Sequence, residues 1–102
     1  MQLLITGEMI DAAEAYRIGL VNKITTTNDL MTTAKEMMRI ILANGPLAVA
    51  LCIEAIDRGL EMSLDEGLIL EANHFGLLAA TDDMREGTRA FMEKRPPAFK
   101  GK

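Results

Sequence analysis

Tryptophan is absent from this 102-residue chain, and aromatics of any kind make up only 4% of it. A β-sandwich wants more Val, Thr, Tyr and Phe on its pleated faces, so that fold class is disfavoured. Cysteine is down to Cys52 alone, which excludes an internal disulfide and fits a reducing compartment. With one histidine, His74, no multi-histidine metal site can be assembled. A surplus of basic residues is missing too. The net charge is −4, which repels phosphate backbones and excludes a nucleic-acid footprint as partner surface. No apolar run approaches the roughly 18 residues of a membrane span. The first residues show no basic region leading into an apolar stretch and a small-residue cleavage site. The expectation is a cytoplasmic chain with no membrane partner.

What is present favours helices. Apolar residues reach 49% and charged ones 25%, a globular balance. The apolar share is dominated by Leu, Ile, Met and Ala, and the straight-chain residues and Ala lose little freedom in a helix. The length suits one domain, residues 1–102, with a modest core.

The pattern along the chain predicts five or six short-to-medium helices. Met1 to Thr6 looks like the end of an element, since no capping residue precedes Leu3-Leu4-Ile5 and Gly7 follows at once. Asp11 and Glu14 have capping-box spacing, predicting a short helix over Ala12–Ile18 that stops at Gly19. A brief extended link, 20–24, and a polar turn, 25–28, come next. Leu30, Ala34, Met37, Met38 and Ile41 then form one apolar stripe. Asn44-Gly45-Pro46 ends that helix and begins another, Leu47 to Ile56, apolar on nearly every face and so expected to be buried on more than one side. Ser63 and Glu66 make the cleanest capping box, and the helix they open carries Leu64, Leu68, Ala72, Phe75 and Ala79 on one face. Thr81, Asp82 and Asp83 open a last helix, with Lys94 and Arg95 at its negative end and Pro96-Pro97 to stop it.

The search for chemistry is nearly empty. Glu71-Ala72-Asn73-His74 has the spacing used in di-iron bundles, but one such motif cannot supply that site, and a packing or surface histidine is the simpler reading. Cys52 lies in an apolar helix and reads as a buried structural thiol. The eight methionines read as core filler. The glutamates are scattered, with no desolvated partner evident for acid/base work. Only the end of the chain stands out: Phe91, Lys94, Arg95, Phe99, Lys100 and Lys102 combine rings with cations. That cluster fits an anionic aromatic ligand such as a nucleotide, or equally a solvated helix end followed by a frayed tail.

The run LLITGEMIDAAEAYRIGLVNKI resembles the stretch after the catalytic core in the enoyl-CoA hydratase/isomerase, or crotonase, family. The closing run TDDMREGTRAFMEKRPPAFKGK resembles that family's C-terminal signature, and the helical pattern between them follows in order, so the resemblance covers the whole chain. It implies an all-α architecture: the C-terminal helical part of a crotonase-like fold without its β–β–α core. It also implies assembly as a homo-oligomer, trimer or hexamer, and an acyl-CoA substrate in the intact enzyme. The family's oxyanion hole and two acid/base glutamates have no counterpart here, so no catalytic residue, no metal and no cofactor bound by the chain alone are expected. Glu86 belongs to the signature of the last helix and not to the catalytic pair. The Phe and Lys of the AFMEKR-like motif match Phe91 and Lys94, which the resemblance assigns to the coenzyme A rim, and it makes Phe99 a packing anchor. The function expected is the oligomerisation and coenzyme-A-rim segment of an enoyl-CoA hydratase, inactive alone. The alternative is a free-standing helical protein-interaction module.

Overall fold

Every segment that the periodicity marks as helical is helical in the computed structural model, which describes residues 1–102. Six helices and no strand are present: α1 (Gln2–Thr6), α2 (Ala12–Arg17), α3 (Leu30–Leu42), α4 (Pro46–Gly59), α5 (Leu64–Ala79) and α6 (Asp82–Glu93). They fall into two compact units, Met1–Glu36 and Met37–Lys102.

In the first unit, Gly7 closes α1 in the left-handed region (φ 65°) and its N–H reaches the Leu3 carbonyl. Asp11 caps α2 by accepting the Glu14 N–H at 2.8 Å. The capping box is only half formed, because the Glu14 carboxylate takes the Arg17 guanidinium at 2.6 Å instead of turning back. A nearby cation in the same helix outcompetes the neutral backbone donor. Ala15 is this unit's one buried apolar residue. Thr26 accepts the Asp29 N–H and donates to its carboxylate at 2.6 Å, turning the chain toward α3.

The α3 stripe forms on schedule but faces solvent: Leu30, Met37, Met38 and Ile41 are all exposed. α4 likewise has no buried residue, only a half-buried face that includes Leu51, Ala55 and Gly59. The expected burial on more than one side is not met within this chain.

The second unit is α4 packed on α5 and α5 on α6. Pro46 opens α4 at the first turn, where its missing N–H costs nothing. Ser63 and Glu66 close a full reciprocal box at the start of α5, with the Glu66 carboxylate accepting the Ser63 N–H at 3.0 Å. The half-buried face of α5 is Gly67, Leu70, His74 and Leu78. The stripe anticipated from the sequence is turned outward, with Leu64, Leu68 and Phe75 exposed. Small residues decide the difference. A Cβ on Gly67 would lie 3.9 Å from the Gly59 Cα, so the helices meet where both lack side chains. The methionine reading is also overturned: Met1, Met9, Met31, Met37, Met38, Met84 and Met92 are exposed, so they fill no core in this chain.

Candidate functional site

The end of α6 is built by local chemistry. Thr81 caps its start by accepting the Met84 N–H at 3.1 Å, while donating to the Leu78 carbonyl at 2.7 Å. Its last turn closes as a Schellman motif. The Arg95 N–H reaches the Ala90 carbonyl at 3.0 Å, and the Lys94 N–H reaches that of Phe91 at 3.2 Å. Glycine is the usual residue at the left-handed position of that motif, but here it is Lys94, at φ 52° and ψ 42°. It is the one non-glycine residue in the chain with positive φ. Such a residue carries about 1–2 kcal/mol of backbone strain.

Phe91, three residues earlier, is 82% exposed. It lines an apolar groove of about 430 Å³ together with Phe75, Leu78, Met84 and Phe99. The structure therefore puts the two expected rim residues at one helix end, a ring in an open groove and an exposed cation beside it.

The tail beyond α6 is ordered. Arg95 donates to the two Glu86 oxygens at 2.7 and 3.0 Å, and to Glu93 at 2.6 Å. The Ala98 N–H adds a third bond to Glu86 at 2.9 Å. Arg95 first and Ala98 second hold the Glu86 carboxyl down at about 2. Asp83, buried at 7% exposure, accepts the N–H groups of Lys100 at 2.6 Å and Gly101 at 2.8 Å. Its own N–H donates to the Lys102 carbonyl at 3.0 Å. Phe99 is the packing anchor that the resemblance implied, with its ring against Gly45 and Gly87. A frayed basic tail is thus replaced by a strap. Sequence reasoning had no signal for Asp83, because its partners lie 17 and 18 residues away.

Two other residues stand differently from expectation. Cys52 is exposed, and it lines a second apolar groove, about 440 Å³, between α4 and α5. It is therefore not a buried structural thiol, since nothing packs over that side of α4. His74 is a packing histidine, as the simpler reading held. Its side chain is 12% exposed and neither ring nitrogen has a hydrogen-bond partner. The Glu54 carboxylate lies 3.8 Å from Nε2, beyond hydrogen-bonding reach.

Comparison with known proteins agrees with this layout. The enoyl-CoA hydratase/isomerase family profile matches residues 1–102. A short-chain-enoyl-CoA hydratase of Clostridium acetobutylicum is 45% identical over 94 residues, covering 92% of this chain and 36% of its own length. A crotonyl-CoA hydratase of Syntrophomonas wolfei is 44% identical over 98 residues, covering 96% of this chain and 38% of its own. A crystal structure of enoyl-CoA hydratase from Bacillus anthracis superposes with a TM-score of 0.95 at 40% identity, over 99% of this chain and 39% of that one. This chain thus spans little more than a third of the relatives it matches. Helix order, closing signature and superposition agree, and the chain belongs to the enoyl-CoA hydratase/isomerase family.

Proposed function

We propose that residues 1–102 act as a single helical segment, the C-terminal oligomerisation and coenzyme-A-rim part of an enoyl-CoA hydratase, and that the segment is inactive alone. The parent reaction in this reading is syn addition of water across the double bond of a 2-enoyl-CoA, in the cytoplasm. Backbone donors would hold the thioester oxyanion and two glutamates would handle water and proton, all supplied from outside this chain. Phe91 would present a ring to the coenzyme and Lys94 a cation to its phosphates.

Lys94 is the observation that carries the site. A residue held in a sparsely populated backbone region, where glycine would relieve the strain, points to use of its side chain. The ammonium also completes the negative end of the α6 dipole, an effect any basic residue nearby would share, so the strain is the more telling feature. Exposed apolar surface supports the assembly role. Ile53 and Ile56, both exposed, lie in the helix expected to be buried on more than one side, and Leu4 and Ile5 of α1 are exposed as well.

The test is a chimaera in which residues 1–102 replace the matching segment of the Clostridium acetobutylicum short-chain-enoyl-CoA hydratase. The chimaera should hydrate crotonyl-CoA, and the purified 102-residue chain should not. Phe91→Ala and Lys94→Ala in the chimaera should raise KM and spare kcat, as loss of uniform binding does. An inactive chimaera that assembles normally, or activity in the chain alone, would sink the proposal. The inactive chimaera would favour a free-standing interaction module instead.

A further inference from the structure

The seven residues after Arg95 have few ways to be held. Pro96 and Pro97 have no N–H to give. Of the donors that remain, the N–H groups of Ala98, Lys100 and Gly101 all go to two carboxylates of α6. Those carboxylates, Asp83 and Glu86, are three residues apart and therefore share one face a turn apart. They meet a segment running back along the helix from Arg95, and Asp83 returns a bond of its own to the Lys102 carbonyl. Phe99 falls between the two anchors. Glycine in the helix gives its ring room there: a Cβ on Gly87 would lie 3.3 Å from the ring, tighter than an ordinary contact. So seated, Phe99 lines the same groove as Phe91. At the other end of the strap, the bonds from Arg95 to Glu86 and Glu93 fix the residue next to Lys94.

We infer that Asp83 and Glu86 are positioning residues: they hold residues 96–102 as a strap that seats Phe99 as one wall of the Phe91 groove and steadies Lys94 beside it. The inference rests on the reading of Phe91 and Lys94 as the coenzyme A rim. Neither carboxylate touches the ligand in this scheme. Both act through the strap.

Two measurements test it. Amide hydrogen exchange on the 102-residue chain reads the strap directly. Asp83→Asn with Glu86→Gln should speed exchange at Ala98, Lys100 and Gly101 and remove Phe99–Gly87 proton contacts in NMR spectra, with the α5 amides unchanged. In the chimaera the same pair should raise KM for crotonyl-CoA by about tenfold at constant kcat, the scale of one lost charge-assisted bond. Phe99→Ala, which leaves both carboxylates in place, should do the same and guards against a folding defect in the charge variants. Freed strap amides with an unmoved KM, while Phe91→Ala still raises it, would overturn the inference and leave the rim reading standing. Should Phe91→Ala and Lys94→Ala leave KM unmoved, the rim reading falls. Exchange and the Phe99–Gly87 contacts then decide the strap alone: their persistence in the charge variants overturns it, and their loss upholds it.

Discussion

At Lys94 a single backbone angle sets the stability of the α6 end against the use proposed for its side chain. Its left-handed conformation closes α6, and glycine would close it with less strain. Lys94→Gly should therefore raise the stability of the chain by about 1 kcal/mol in thermal melts, while raising KM in the chimaera. A variant that gains stability with unchanged KM would mean that the ammonium has no ligand. Glu86 makes a pH prediction. Its folded value, about 2, lies below the ordinary 4.5 because Arg95 and the Ala98 N–H favour the charged form. A depressed carboxylate contributes its full stabilisation above the unfolded value and loses it as pH falls toward the folded one. The Ala98 amide should thus stay protected down to about pH 4.5 and lose protection between there and pH 2. Glu86→Gln should remove that transition at Ala98 from an exchange series. Gly101 makes a simpler case. It has φ 74°, and an added Cβ would meet the Pro46 Cγ at 3.1 Å, so Gly101→Ala should loosen the end of the strap. Faster exchange at Gly101 and Lys100, with the Ala98 amide unchanged, is the expected pattern.

At the scale of the element, helix starts were the most legible feature. Ser63, Thr81 and Asp11 each cap the helix they precede, because a short polar side chain and the N–H three residues on need nothing from the rest of the molecule. The Ser63 box, made in both directions, should respond most. Ser63→Ala should cost about 1 kcal/mol in thermal melts, and Asp11→Ala less, since Glu14 there is engaged by Arg17. Helix faces were less legible than helix ends. The α5 stripe that periodicity selects is turned outward, and a face containing Gly67 and His74 packs instead. Hydrophobicity ranks faces by what they gain on burial, but close approach is set by what a face lacks, and α5 meets α4 where Gly67 faces Gly59.

For the whole molecule, the dominant fact is apolar surface without cover. The buried apolar residues are Ala15 in one unit and Ala90 in the other. A chain so exposed should associate with itself through the apolar faces. Sedimentation over a concentration series should show average mass rising with concentration and changing little with salt. Ile53→Lys with Ile56→Lys should lower it, and a compact monomer at all concentrations would contradict the assembly role.

By itself the sequence determined the all-helical class, helix limits to within a few residues, and the family. These are local quantities: capping spacings, turn residues and a contiguous closing signature. Tertiary structure alone decided which face of α5 packs, that Cys52 and most methionines lie open, and that the basic tail is a strap. The reason is the same in each case. Asp83 and Gly101, or Glu86 and Arg95, meet across separations that no periodicity encodes, and burial depends on which neighbours a face finds rather than on how apolar it is.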